Sequence, residues 1–344
     1  MTGIFVPSLF LSVFGLVNVL GIKQSLFTHQ LVFFIISLII YFIVKRIGRN
    51  FFFLNNKFFY WLLIILLVVT YVMGLEVKGS KRWIDLYFFN FQPSEFLKIF
   101  FILFMGYYLT TKSQVTDKFS KFINGFLFFL IPTVIIFKQP DLGNAAVFLV
   151  IYLTMLLFSN TSKKYILYLI AFFLFMIPTG WFFLKSYQKE RLISFINPHL
   201  DPQGNAYNMI QSTITVGSGK FFGRGLGLGT QSRFYFLPEN HTDFAFASLV
   251  EQFGLFGSLI VIVLYLIIII NLIKRILHYF FQGDVESQRS YIILIGFLIY
   301  FVFQVVVNIG MNIGLFPVAG VALPFISYGG SSLVALMVGI ALLP

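Results

Sequence analysis

The acids able to do chemistry in this sequence gather in three short segments. Glu95 stands in Gln92-Pro93-Ser94-Glu95 and Asp141 in Gln139-Pro140-Asp141. Glu239 and Asp243 share the run Phe236-Leu237-Pro238-Glu239-Asn240-His241-Thr242-Asp243-Phe244. A carboxylate at the edge of an apolar segment is partly desolvated, which suits it to accept a proton from a substrate hydroxyl. Asp243 is placed that way, with His241 two residues before it. A lone histidine more often makes a structural hydrogen bond than does catalysis. The four histidines (29, 199, 241 and 278) fall on separate loops without ligand spacing, so no His-built metal site is expected. Asp141 and Glu239 each also read as caps, because the helix dipole favours an acid near its start.

Two further constellations carry charge. Glu95 and Lys98 are three residues apart, on one helix face just inside an apolar run. Within a membrane such a pair must satisfy itself or line a polar cavity, and the two readings are compatible. The run from Gly217 to Gln231 interleaves six glycines with Lys220 and Arg224. No strand precedes it and its spacing fits no nucleotide fingerprint. It reads as a flexible loop, or as a cradle whose backbone N–H groups and two cations meet a phosphate.

What must position these residues is a membrane. Of 344 residues, 59% are hydrophobic and 10% charged, against about a quarter charged in an average soluble protein. The mean hydropathy is +0.92 and the net charge +12. A disordered chain, a soluble nucleic-acid binder and a disulfide scaffold are excluded. The absence of cysteine also removes thiol catalysis and Cys-ligated metal.

Charge-free runs at 1–22, 24–44, 58–75, 122–137, 142–162, 165–184 and 252–273 are long enough, or nearly so, to cross the hydrocarbon as helices. Residues 93–111 form a further apolar run around Glu95 and Lys98. The uncharged stretch 290–344 divides at Gly310–Pro324 into two. The expectation is an all-α polytopic membrane protein of about ten transmembrane helices. It forms a single domain over 1–344, with one large extracytoplasmic loop at 185–242 between helices 7 and 8. The first span lacks a basic n-region and a small-residue cleavage site, so it is read as a retained helix. Twelve Lys and Arg fall in one set of short loops and five in the other, which places both termini in the cytoplasm. The positive charge is thus largely a topology signal. Four spans are expected to start at the outer face beside Pro93, Pro140, Pro238 and Pro324.

Several motifs now fall into one order. They are Arg82-Trp83, Gln92-Pro93-Ser94-Glu95 with Lys98, Gln139-Pro140-Asp141-Leu142-Gly143, Asn197-Pro198, and Asp201-Pro202-x-Gly204 with Tyr207, Gln211 and Ser212. Gly217-Ser218-Gly219, Gly229-Thr230-Gln231, Leu237-Pro238-Glu239-x-His241-Thr242-Asp243-Phe244 and Pro324-x-x-Ser327-Tyr328-Gly329-Gly330-Ser331 follow. In this order, over about residues 80–335, the chain resembles the SEDS family (RodA, FtsW and SpoVE) of shape, elongation, division and sporulation glycosyltransferases. The Asp-Pro-x-Gly and Gly-Thr-Gln elements look more like RodA. Departures are Ala245, where a bulkier aliphatic residue is common, and the end at Pro344 without a short basic tail.

The resemblance implies a ten-helix enzyme of the bacterial cytoplasmic membrane that polymerises lipid II into glycan strands at the outer face. It implies a class B penicillin-binding protein, the transpeptidase, as partner, with membrane lipids around it and no nucleic acid. The family's essential aspartate falls on Asp243. Substrate contacts are expected from Arg82, Glu95, Lys98, Asp141, Gln211, Ser212, Lys220, Arg224, Gln231, Glu239, His241 and Ser327. The chemistry agrees with that. One carboxylate base suffices for an acceptor hydroxyl, and a departing diphosphate needs cations or helix starts rather than an acid. Arg224, Lys220, Arg82 and Lys98 are its candidate cations. No cofactor is indicated with certainty, and a divalent cation held by Asp243 and a second acid is possible without being indicated. Two rival readings are a lipid II flippase and a non-catalytic scaffold for the transpeptidase. The first lacks matching broken helices in two halves, and the second leaves Asp243 without a task.

Overall fold

The structure is a computed structural model that describes residues 2–77, 80–86, 90–111, 118–184, 186–198, 204 and 206–344. Lys78, Lys112, Lys185, His199 and the Asp201-Pro202 pair named above lie outside the described residues. The chain starts with α1 (Thr2–Ile22), α2 (Gln24–Ile47), α3 (Arg49–Leu54) and α4 (Asn56–Met73). Three short strands follow, β1 (Leu75–Val77), β2 (Ser80–Asp85) and β3 (Asn90–Phe91), paired antiparallel in that order. Next come α5 (Pro93–Thr110), α6 (Lys118–Lys138), α7 (Leu142–Phe158), α8 (Lys163–Phe183), α9 (Ser186–Ile196) and α10 (Tyr207–Ser218). The last elements are α11 (Thr230–Arg233), α12 (Ala245–Phe280), α13 (Val285–Asn312) and α14 (Gly330–Leu342).

A helix occupies each of the apolar runs. Without water to satisfy N–H and C=O groups, an apolar run in lipid must bond within itself. Among the described residues seven helices, α1, α2, α4, α6, α8, α12 and α13, are long and apolar enough to cross a membrane. The other three runs are occupied by α5, which holds Glu95 and Lys98, and by the shorter α7 and α14.

The buried centre is formed by α5, α7, α13 and α14. Helix α5 packs on α4, α13 and α14, and α13 also packs on α7 and α12. Nearly every side chain of α14 is buried. By contrast α2 and α8 turn Phe42, Leu167, Leu174 and Phe182 outward. That places large apolar groups on the rim of the bundle, as lipid contact requires. Aromatic stacking cements the inner layer: Tyr60 lies on Phe104 and Phe129 on Tyr152, with ring centroids 4.3 and 4.7 Å apart.

Three expectations change in detail. The segment 185–242 is not a bare loop, since it holds α9, α10 and α11. Prolines 238 and 324 do not start helices: α12 begins at Ala245 and α14 at Gly330. Glu239 and Asp243 therefore precede α12 in a compact turn, where the carbonyl of Glu239 accepts from the N–H groups of Thr242 and Phe244. Pro93 and Asp141 do stand where a helix starts, Pro93 as the first helical residue and Asp141 as the cap of α7.

Candidate active site

Two polar groups form, on either side of one irregular segment. The first is a line of side chains across α5, α7 and β2. The Lys98 ammonium is fully buried and donates to Glu95 at 2.7 Å and to the Asn144 side-chain oxygen at 3.0 Å. Asn144 hands its own amide to Asp141 at 2.9 Å, and Asp141 caps the Asn144 backbone N–H at 3.2 Å. Arg82 ends the line, 3.6 Å from Asp141 and donating to the carbonyls of Gln139 and Pro140. The arrangement answers the cost of burying charge: each ion meets a counter-ion or a dipole. Arg82, Glu95, Lys98 and Asp141 are thus brought together, with Asn144 as the relay between the two carboxylates.

The second group surrounds Asp243. Two asparagines of α13 reach its carbonyl oxygen, Asn308 at 3.0 Å and Asn312 at 3.1 Å. Ser327 donates to the carbonyl of Thr242 at 2.7 Å, and the N–H of Tyr328 to that of His241 at 2.8 Å. The turn is therefore held by its main chain from two elements, while the half-buried carboxylate side faces Gly320. A Cβ added there would lie 3.8 Å from the Asp243 carboxylate. Beneath it Leu237, Phe244 and Ala247 pack with Val216 and Val318. Glu239 accepts from the Thr242 hydroxyl at 3.0 Å, and the His241 ring meets Tyr328 at 5.4 Å. Burial raises the pKa of the Tyr328 phenol, so that it stays protonated beside this turn.

Residues 319–321 lie between the groups. A Cβ on Gly143, in the first turn of α7, would come within 2.2 Å of the Ala319 carbonyl oxygen. The start of α7 therefore rests against the same segment whose Gly320 faces Asp243.

The remaining predicted residues are dispersed. Ser212 on α10 donates to the carbonyl of Asn312 at 2.8 Å, so it supports α13 from outside. Gln211 and Gln231 each bury a side-chain oxygen that makes no hydrogen bond. Lys220 and Arg224 are exposed, and Arg224 donates to the carbonyl of Ser218 at 3.3 Å. Of the four candidate cations, Lys98 is committed to Glu95 and Asn144, whereas Lys220 and Arg224 remain open to a ligand. Among the described residues no three His, Asp or Glu side chains come together as a metal cage. Sequence reasoning missed Asn308 and Asn312. Their signal was present: with Gln304 they are three amides spaced four residues apart in the apolar part of α13, so they share one face. It also missed Asn144, next to the Gln139–Gly143 motif, and Glu251, which lies in no quoted motif.

The comparisons with known proteins bear on the whole chain. The profile of the FtsW/RodA/SpoVE family, described as cell cycle protein, matches residues 3–344. A probable peptidoglycan glycosyltransferase FtsW of Buchnera aphidicola (subspecies Schizaphis graminum) is 33% identical over 321 residues, 92% of this chain and 88% of the relative. The peptidoglycan glycosyltransferase MrdB of Escherichia coli K12 is 38% identical over 263 residues, 76% of this chain and 69% of the relative. Among solved structures, one reported under "Structural coordination of polymerization and crosslinking by a peptidoglycan synthase complex" superposes with a TM-score of 0.83 at 27% identity. It covers 100% of this chain and 96% of that one. The rod shape determining protein RodA of Thermus thermophilus gives 0.72 at 24% identity, covering 100% and 95%, and so supports the fold. With a family profile matched almost end to end and a bundle that superposes over its full length, this chain belongs to the FtsW/RodA/SpoVE family.

Proposed function

We propose that the chain is a peptidoglycan glycosyltransferase that joins lipid II units into glycan strands at the outer face of the cytoplasmic membrane, with Asp243 as its base. The acceptor 4-hydroxyl attacks the donor's anomeric carbon as Asp243 takes its proton. The bond from that carbon to the diphosphate breaks, and undecaprenyl diphosphate leaves with inversion. The observation that carries this reading is the fixing of the Asp243 turn. Bonds from Asn308, Asn312, Ser327 and Tyr328 all go to main-chain carbonyls of residues 241–243, and the Asp243 carboxylate lies 3.8 Å from where a Gly320 Cβ would stand. A base held so has little reorganisation to make when the acceptor arrives.

Lys220 and Arg224 are the proposed cations for the diphosphate. A divalent cation, if the reaction uses one, would take Asp243 as a protein ligand and would supply positive charge for the departing diphosphate. The relatives' names support the activity, and the similar synthase complex supports a crosslinking partner, a class B penicillin-binding protein. The excess of basic residues in the inner short loops supports an outward-facing site with both termini in the cytoplasm. A role in elongation is proposed on the Gly229-Thr230-Gln231 and Asp201-Pro202-x-Gly204 elements.

The test is polymerisation of labelled lipid II by the purified protein, alone and with a cognate transpeptidase, beside Asp243→Asn. Strands from the wild type and none from a folded Asp243→Asn are expected. Polymer from both would remove Asp243 from the chemistry. Polymer from neither, with transbilayer movement of lipid II in liposomes, would replace this reading by a flippase.

A further inference from the structure

The proposed mechanism makes no use of Glu251, which is wholly buried in α12. An ion removed from water needs strong partners, and this one has three. Its carboxylate accepts from the N–H of Gln231 at 2.9 Å, the N–H of Ser232 at 2.9 Å and the Ser232 hydroxyl at 2.6 Å. The partners all belong to α11, at the end of the glycine-rich run. Space for the carboxylate exists because residue 229 is glycine, whose absent Cβ would lie 2.5 Å from it.

The run continues the grip along α12. That helix is broken at Gly254, with φ 69° and ψ −169°, a conformation costly for any residue with a Cβ. Across the break, the N–H groups of Arg224 and Gly225 donate to the carbonyls of Glu251 and Gln252, at 2.8 and 3.1 Å. In return the N–H groups of Leu255 and Phe256 donate to Lys220 and Phe221, at 2.9 and 3.0 Å. The glycine-rich run is thus a fixed arch laid on an opened helix. Its far end reaches the proposed catalytic turn: Asn240 donates to the carbonyl of Ser232 at 2.7 Å, and Asn240's own carbonyl accepts from Ser248 at 2.9 Å.

We propose that Glu251 is a positioning residue, which clamps the 220–233 arch so that Ser232 and Asn240 hold the Asp243 turn in its reactive place. This rests on Asp243 being the base. The Glu251→Gln side chain keeps the shape but points an N–H₂ at donors, so the clamp loosens while apolar packing stays.

The experiment is steady-state polymerisation of lipid II by the full chain, with hydrogen exchange of residues 229–244 measured on the same samples. Glu251→Gln is expected to lower kcat about tenfold to a hundredfold. Its KM should stay within roughly twofold, and amide exchange across 229–244 should quicken. Ser232→Ala removes one donor of the three and should show a smaller loss of the same kind, which decides the matter if Glu251→Gln does not fold. Wild-type kcat in the variants, a loss confined to KM, or a loss with unchanged exchange would each overturn the proposal. The two readings fail separately: an active Asp243→Asn removes the base assignment, whereas the exchange measurement judges the clamp whatever Asp243 does.

Discussion

Asn312 holds Asp243 by the main chain: its amide donates to the Asp243 carbonyl at 3.1 Å, while its side-chain oxygen accepts the N–H of Ala247 at 2.9 Å. One side chain of α13 therefore ties the last residue of the turn to the first turn of α12. Asn308 does a related task, since it donates to both Asp243 and Val321 and so spans the two walls of the site. Asn312→Ala would orphan a buried N–H and lose a donor, at a cost of about 1–3 kcal/mol. Its unfolding temperature in detergent should fall, and its polymerising activity should fall further than that loss of stability explains. Activity at the wild-type level per folded molecule would show that the turn holds without it.

Lys98 and Glu95 should behave as one unit. Lys98→Met leaves the Glu95 charge buried without its counter-ion, which by the general behaviour of buried pairs costs about 3–5 kcal/mol. The double variant Lys98→Met/Glu95→Gln removes both charges and should recover much of that loss. The comparison is of unfolding temperatures for the two single variants and the double. Equal destabilisation of Lys98→Met and the double would mean that the pair contributes nothing through charge. Asn144 enters the same cycle, because it accepts from Lys98 and donates to Asp141.

The long helices and the chemistry of the Asp243 motif are legible in the sequence because each depends on a local signal. Apolar runs must become helices in lipid, and an acid in a Pro-Glu-x-His-Thr-Asp run stands out by type. Glu95 and Lys98 could be paired by spacing alone, and the structure pairs them. What could not be read was any contact made across the chain. Asn312 reaches back 69 residues to Asp243, and Glu251 takes its partners from a segment 19 and 20 residues earlier. Glycine-rich spacing reads as flexibility in one dimension. Only the packing shows that Gly223 and Gly254 are small so that two backbones can meet, and Gly229 so that the Glu251 carboxylate fits.

The opposite end of α13 offers a test by pH. Asp284 caps that helix, accepting from the N–H of Ser287 at 3.0 Å, and these bonds with Ser287 hold its carboxyl below the ordinary range. A depressed folded-state pKa stabilises the fold above the unfolded value of about 3.9 and ceases to do so as pH falls through the folded value. The wild type should therefore melt above Asp284→Ala at neutral pH. Lowering the pH through the acidic carboxylate range should close the gap. A gap that stays constant down to the lowest pH at which the protein remains folded would show that ionisation of Asp284 plays no part.

Gly143 and Gly180 both lie inside helices, yet they should respond to alanine in opposite ways. At Gly143 the new methyl would be 2.2 Å from the Ala319 carbonyl oxygen and 2.9 Å from Val321, so α7 must move away from residues 319–321. The displaced segment carries Gly320, which faces Asp243, and the damage should reach catalysis as well as stability. At Gly180 nothing lies within 4 Å, and alanine there should raise helix stability by about 0.5–1 kcal/mol. Both variants can be compared by yield, unfolding temperature and lipid II polymerisation. A fully active Gly143→Ala would mean that the start of α7 and the Asp243 wall are not mechanically linked, and the two polar groups would then have to be treated as separate sites.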